Sequence, residues 1–294
     1  MTSASSSGSL DRAVVVTGAS TGIGRAAVAK AVREGAHVFA SVRKQADADS
    51  LRSEFGAAVT PLLFDVADEP AVRAGAAQVA AALGGRKLFG LVNNAGIAVP
   101  GPLLHLDTEE LKRQFEINLF GVHNVTRAFA DVLGADEARS GKPGRIVMIS
   151  SVGGQNGAPF VGPYAASKFA LEGYSQSLRR ELMLYGIDVI VVGPGAIATP
   201  IWDKAEGEDL NRFANTPYAP MMERVSNYML AQGREGLPAS DVGDLIWHCL
   251  SDASPKTRYH ILRRPFMDRT LPRLLGPRAV DKVIAKRLGM PKRT

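Results

Sequence analysis

Arg12-Ala13-Val14-Val15-Val16-Thr17-Gly18-Ala19-Ser20-Thr21-Gly22-Ile23-Gly24-Arg25 is the stretch that decides the fold. Ala13 to Val16 is a short β-branched run stopped by glycine, which reads as a buried strand. From Gly22 onward, small and apolar residues recur with helical spacing until Gly35 ends the segment. A strand that passes through a glycine-rich turn straight into a helix forms an anion cradle. The glycines let the backbone turn tightly and approach a diphosphate, and the helix N-terminus presents unpaired N–H groups with positive partial charge. The turn from Thr17 to Gly24 is therefore a candidate phosphate-binding site.

The same alternation continues outward. His37–Val42, Thr60–Val66, Leu88–Gly96, Gly144–Ser150 and Asp188–Gly195 read as further strands, separated by helical stretches. Strands alternating with helices predict an α/β fold, a mostly parallel sheet covered on both faces and doubly wound by right-handed crossovers. After Pro200 the pattern changes. Ile201 to Gly236 carries no strand signal and reads as short helices rich in Met, Trp and Tyr, with a further helix from Ala239 to Leu250. From Pro255 prolines and arginines break the periodicity, until Ala279–Leu288 places Val280, Val283, Ile284 and Leu288 on one helical face. The organisation expected is a Ser-rich disordered tail over residues 1–10, one α/β domain over 11–254 with a helical lid at about 200–236, and an extension over 255–294.

Composition narrows the class. The chain has 294 residues, 46% hydrophobic and 22% charged, which are ordinary globular values. The single cysteine, Cys249, excludes an intramolecular disulfide. No apolar run reaches the ~18–20 residues of a membrane span, and the N-terminus lacks the basic and apolar regions of a signal peptide. A cytoplasmic location is the expectation. Net charge is +6, unevenly placed. Twelve Lys/Arg face two Asp between Pro255 and Thr294, and 23 basic and 27 acidic residues remain elsewhere. His37, His105, His123, His248 and His260 lack ligand-like spacing, so no metal site is expected. Ser150 and Ser151 sit in no G-x-S-x-G elbow, which argues against a serine hydrolase. Cys249, within Leu245–Leu250, reads as a small core residue.

The chemistry concentrates in Tyr164-Ala165-Ala166-Ser167-Lys168. Side chains at i and i+4 share a helix face, and an ammonium beside a phenol favours the phenolate, which brings a weak acid–base group toward working pH. Ser151 lies thirteen residues upstream at a strand end. Together with the Thr17–Gly24 turn, Asp65-Val66, Asn93-Asn94-Ala95-Gly96, Asn118 and Pro194-Gly195, these motifs follow in an order that resembles the short-chain dehydrogenase/reductase superfamily. The resemblance runs from about Arg12 to Ala253, roughly four fifths of the chain.

What the resemblance implies is specific. Tyr164 exchanges a proton with the substrate oxygen, Lys168 lowers its pKa and holds the nicotinamide ribose, Ser151 polarises the carbonyl, and Asn118 anchors a water in a proton relay. Gly18, Ser20, Gly22, Ile23 and Gly24 surround the phosphates, and Asp65 and Val66 flank the adenine. Asn94, Ala95 and Gly96 line the ribose floor. Pro194, Gly195, Ile197 and Thr199 lie on the nicotinamide side, Ile197 and Thr199 at the carboxamide. The cofactor expected is NADP(H) in preference to NAD(H). The second strand ends in Ala40-Ser41-Val42-Arg43-Lys44 without the carboxylate that holds a ribose 2′-hydroxyl, and Arg43 suits a 2′-phosphate, with Arg25 a weak helper.

Pro194–Trp202 resembles the retinol and hydroxysteroid dehydrogenase branch. With Trp202, Phe213, Tyr218, Met221, Met222, Tyr228 and Met229 in the lid, it implies a hydrophobic alcohol or ketone as substrate. The expected activity is hydride transfer between an alcohol and a carbonyl. The alternative is a nucleotide-binding redox sensor or scaffold without meaningful turnover. A homodimer or homotetramer is expected by resemblance, and nucleic acid is not an expected partner. The basic extension reads chiefly as a segment packing its apolar side on the body. Peripheral membrane contact and steering of anions are its alternatives.

Overall fold

The computed structural model describes residues 9–199 and 210–290. Pro200, Ile201, Trp202 and residues 1–8 of the expected tail lie outside the described residues. The first strand, β1 (Ser9–Val16), already includes Ser9 and Leu10. It leads into α1 (Gly22–Arg33), and then come β2 (Ala36–Val42), α2 (Gln45–Phe55), β3 (Val59–Leu63), α3 (Glu69–Leu83) and β4 (Gly90–Asn93). Helices α4 (Thr108–Phe115) and α5 (Gly121–Ala130) are joined by a π-helical turn, Glu116–Phe120. Next come β5 (Arg145–Ile149), α6 (Gly162–Glu181), β6 (Asp188–Pro194) and a two-residue strand, β7 (Ile197–Ala198). The lid follows with α7 (Ala219–Arg234), then β8 (Leu237–Pro238), α8 (Ala239–Ser251), β9 (Arg258–Ile261) and α9 (Pro277–Leu288).

Seven parallel strands form one sheet in the order β3-β2-β1-β4-β5-β6-β9. The two-residue period of a strand sorts the core into two layers. In β1, Ala13 and Val15 join one layer with Val125 and Phe129 of α5 and Leu171 of α6. Val14 and Val16 join the other with Val28 of α1, Leu51 of α2, and Val242 and Ile246 of α8. Burying a side chain such as Phe129 or Leu51 fully stabilises the fold by ~2–3 kcal/mol each.

The seventh strand is a correction to the sequence reading. Arg258–Ile261 pairs with β6 in the register Val191↔Arg258 to Pro194↔Ile261, so the sheet extends past the expected boundary at residue 254. Its residues are all half-buried, as befits an edge strand, and RYHI lacks the apolar run that marks the inner strands. The extension then returns to the lid. Leu288 is buried with Phe160, Phe213 and Met222, and Ile284 packs beside them. Arg224 Nη1 donates to the Leu288 carbonyl at 2.6 Å, capping the C-terminal end of α9. Of the expected apolar face, Val283 stays about half exposed.

Strand order reverses between β1 and β4, because β2 and β3 lie to one side and β5, β6 and β9 to the other. In doubly wound sheets a crevice opens at that switch point, beyond the carboxyl ends of the strands.

Candidate active site

The turn after β1 is shaped by close backbone approach. Gly18 has φ +64, and a Cβ there would lie 2.9 Å from Ala95 Cα. At Gly24 an added Cβ would meet the Gly18 carbonyl oxygen at 2.2 Å. Asn94 locks this arrangement, donating from Nδ2 to the carbonyls of Thr17 at 2.9 Å and Gly18 at 3.1 Å. Thr17 Oγ1 accepts from the N–H groups of Asn94 and Ala95. Gly22, with φ +58, faces Thr199, whose Cβ would stand 3.2 Å from a Cβ on the glycine. The first turn of α1 has no side-chain cap at Thr21 and no acidic residue, so its N–H groups point, unneutralised, into the turn. A cradle that a Cβ would fill, beside an uncapped helix N-terminus, fits a nucleotide diphosphate.

Arg43, Asp65 and Val66 lie just past the ends of β2 and β3. Arg43 is 62% exposed along its side chain and reaches Asp65 Oδ2 at 3.5 Å. Asp65 Oδ1 accepts the Ala67 N–H at 3.1 Å, and the Val66 carbonyl accepts from Asn124 Nδ2 at 3.1 Å. Arg25 turns elsewhere. Its guanidinium pairs with Glu54 and donates to the Ser20 carbonyl, so it braces the turn and is not free to assist Arg43.

Beyond β5, Ser151 Oγ accepts the Gly153 N–H at 3.0 Å and lies on the side of the Tyr164 phenol, favouring its ionised form. Tyr164 and Lys168 share a face of α6. The Lys168 Nζ stands 5.7 Å from the Tyr164 ring centroid and donates to the Ile149 carbonyl at 2.8 Å. Burial lowers the Lys168 pKa to about 8, with the Glu172 carboxylate opposing that fall. Burial also raises the Tyr164 pKa, and the Ser151 hydroxyl works against the rise. The phenol is therefore not acidified as the Tyr–Lys spacing predicts. Desolvation dominates both groups and disfavours the charged form of each.

Asn118 sits in the π-helical turn, fully buried. Its Oδ1 accepts the Ile97 N–H at 2.9 Å, and its Nδ2 donates to the Ile97 carbonyl at 3.0 Å and to Ser167 Oγ at 3.1 Å. The π bulge thereby fastens the segment after β4 to the helix that bears Tyr164 and Lys168. Gln114 reinforces it, donating to Ile97 and accepting from Val99, each at 2.8 Å.

A family model described as short chain dehydrogenase matches residues 12–209. The chain belongs to the short-chain dehydrogenase family. It is 36% identical over 277 residues to the NADPH-dependent 3-dehydrocapnine reductase of Ornithobacterium rhinotracheale, covering 94% of this chain and 97% of that protein. It is 29% identical to retinol dehydrogenase 16 of Mus musculus, over 85% of this chain and 80% of that one. A solved short-chain dehydrogenase/reductase from Burkholderia phymatum, in complex with NAD, superposes with a TM-score of 0.73 at 25% identity, over 89% of this chain and 92% of that chain.

In this short-chain dehydrogenase the turn residues, Asn94–Gly96, Asp65, Val66, Ser151, Tyr164, Lys168 and Asn118 all gather at the carboxyl ends of β1, β2, β3, β4 and β5. Pro194 ends β6, Gly195, Ile197 and Thr199 follow it, and the Thr199 side chain closes on Gly22. Among the lid residues, Phe213 and Met222 are buried and Tyr218 and Met221 pack against them, whereas Tyr228 is about half exposed.

Three contributors were given no role of their own by the sequence reading. Thr17, which opens the glycine turn, and Gln114 act through backbone contacts. Phe160 adopts φ +64, a conformation costing about 1–2 kcal/mol for a residue with a Cβ. It is held there by a hydrogen bond from Gly101 N–H to its carbonyl, at 2.8 Å, and by edge contact with Tyr218. No group of three or more His, Cys, Asp or Glu among the described residues is arranged to hold a metal.

Proposed function

We propose that the protein is an NADPH-preferring oxidoreductase that interconverts an alcohol and a carbonyl on a hydrophobic small molecule. The observation that carries this reading is the meeting of Tyr164, Lys168 and Ser151 beside the glycine turn at the sheet's switch point. The cofactor, when bound, supplies the hydride. Gly18, Ser20, Gly22, Ile23 and Gly24 hold its diphosphate at the α1 N-terminus, and Asp65, Val66, Asn94, Ala95 and Gly96 receive the adenosine half. Pro194, Gly195, Ile197 and Thr199 border the nicotinamide. Arg43, which reaches the Asp65 carboxylate at 3.5 Å, provides the one positive charge we assign to a 2′-phosphate, and the end of β2 itself carries no carboxylate. The NADPH-dependent relative points the same way.

In the reductive direction Tyr164 donates its phenolic proton to the substrate oxygen, while Ser151 donates a hydrogen bond to that oxygen. In oxidation Tyr164 takes the proton back. Lys168, with a pKa near 8, is protonated roughly ten to one at neutral pH. It places positive charge behind the phenol as negative charge develops there. Asn118 holds the frame and anchors the water that relays protons to Lys168.

The apolar cluster of Phe160, Phe213, Met222 and Leu288 supports a lipophilic substrate, and the retinol dehydrogenase relative supports the same class. Leu288 and Ile284 are engaged with the lid, which favours packing over a bilayer role for the extension. We assign self-association to the neighbouring elements that expose Phe120 and Phe169, with a second copy as the occupant, and a cytoplasmic setting. No described helix is long and apolar enough to cross a membrane.

Calorimetric titration with NADPH and with NADH tests the cofactor assignment, and tighter NADH binding overturns it. Turnover of Tyr164→Phe on a carbonyl panel tests the mechanism, and activity equal to the parent refutes it.

A further inference from the structure

Behind the Lys168 ammonium lies a polar cluster that the catalytic reading leaves unused. Glu172 follows Lys168 by one turn of α6 and is 8% exposed. Ser150 Oγ donates to its Oε1, and Arg258 Nη1 of β9 donates to its Oε2. Arg258 also donates from Nε to His260 Nε2 at 3.1 Å. A buried carboxylate is destabilising unless charge and hydrogen bonds compensate it, and here each oxygen has a partner.

Ser150 is the middle of three consecutive residues at the end of β5. On one side the Ile149 carbonyl holds Lys168 Nζ at 2.8 Å. On the other the Ser151 hydroxyl meets the Tyr164 phenol. The Ser150 N–H is itself tied to the Val192 carbonyl at 2.8 Å. Gly154 shows how tightly strand end and helix meet. A Cβ there would stand 2.8 Å from Ser150 Oγ, 3.1 Å from the Lys168 carbonyl oxygen and 3.2 Å from Glu172 Cγ.

We infer that Glu172, backed by Arg258, is a positioning residue for the Tyr164–Lys168 pair: it pins the end of β5 to α6 and fixes a negative charge one turn behind the ammonium. For its functional consequence this rests on the catalytic reading above. Among the described residues, the charged and titratable groups around it are Lys168 and, beyond it, Tyr164 on its own helix, with Arg258 and His260 on β9. β5 and β6 present uncharged Ser150, Ser151 and Gly193 there. The carboxylate favours the protonated lysine, opposing the burial that depresses it. Removing the charge leaves desolvation and the Arg258 guanidinium acting in one direction.

Glu172→Gln keeps a hydrogen-bond partner for Ser150 and removes the charge. The direct readout is an NMR titration of the Lys168 ε-carbon in the ligand-free protein, assigned with Lys168→Arg. The midpoint is expected to fall by about half a pH unit or more, the scale set by a neighbouring charge. The alkaline limb of kcat for carbonyl reduction moves down with it, and KM for NADPH stays within about twofold. An unchanged midpoint overturns the inference.

Ser150→Ala retains the charge pair and removes the pin. It is expected to lower kcat about tenfold with the midpoint unmoved, a loss on the scale of one buried hydrogen bond. Parental kcat in that variant overturns the pinning role, whether or not Glu172→Gln folds. Tyr164→Phe is assayed beside them. If it is as active as the parent, the catalytic reading falls while the lysine titration still decides the placement of charge.

Discussion

Gly24→Ala tests whether the turn after β1 is the seat of the nucleotide. The backbone at Gly24 is not left-handed, so the conflict is one of space. The new Cβ would stand 2.2 Å from the Gly18 carbonyl oxygen, 2.6 Å from Asn94 Nδ2 and 2.9 Å from the Gly18 carbonyl carbon. Two of these three atoms are backbone, so no side-chain rotation relieves the clash. Relief requires the Gly18 peptide to move. That displaces the carbonyl accepting from Asn94 and loosens the companion bond to Thr17. The two hydrogen bonds contribute about 1 kcal/mol each, and overpacking adds about 1–3 kcal/mol. Together they amount to about 3–5 kcal/mol localised in the turn, or about two to three and a half powers of ten in affinity at about 1.4 kcal/mol per decade. Calorimetric titration with NADPH is expected to show at least a hundredfold weaker binding, with the protein still folded by circular dichroism. Gly173→Ala is the control, because nothing lies within 4 Å of a Cβ there. Binding by Gly24→Ala within about threefold of the parent refutes the reasoning.

The control has its own expected outcome: an alanine inside α6 stabilises the fold by up to about 1 kcal/mol in urea unfolding. Burial pushes the Cys249 thiol up to about 12, so a thiol reagent at pH 8 is expected to react only after denaturant is added. Lys168 has a folded pKa of about 8 against an ordinary 10.5. The unfolded state therefore binds more protons between these values, and this residue's contribution to stability rises with pH across that window. The stability of Lys168→Met relative to the parent should accordingly fall by up to ~3 kcal/mol from pH 8 to 10.5, measured by chemical denaturation. A chain ending at Ser254 loses β9 and Arg258 and is expected to lose cooperative unfolding. One ending at Arg264 keeps both, stays folded, and shows a raised KM for a hydrophobic carbonyl.

How much of this was legible in the sequence depends on how local each signal is. Inner strands such as Ile146–Ile149 and Val189–Val192 are covered on both faces, so burial demands continuous apolar runs that can be read directly. β9 is covered less and could be built from Arg258-Tyr259-His260-Ile261, which reads as part of a basic extension. Tyr164 and Lys168 were legible because four residues along a helix is a local relation. Glu172 continues the same face by the same step. Its role was hidden because its partners, Ser150 and Arg258, are brought to it only by the sheet. The direction of the Tyr164 pKa failed for a related reason. Spacing shows the neighbouring charge, but burial depends on everything packed around the pair, and here burial is the larger effect.

These two failures share a cause in the topology. β9 is recruited to the sheet edge next to β6, and that register sets Arg258 where it neutralises a carboxylate one turn behind Lys168. Without the strand, α6 would carry a buried Glu172 with the Ser150 hydroxyl but no guanidinium partner beside Tyr164 and Lys168, an arrangement that would either expel the charge by protonation or loosen the end of β5. The chain past residue 254 thus has two separable parts. Residues through Ile261 belong to the electrostatic frame of α6, and α9 packs on the lid. The basic charge concentrated there follows from both: Arg258 is retained for an interior partner, while Lys282, Lys286 and Arg287 flank a helix whose Ile284 and Leu288 turn inward.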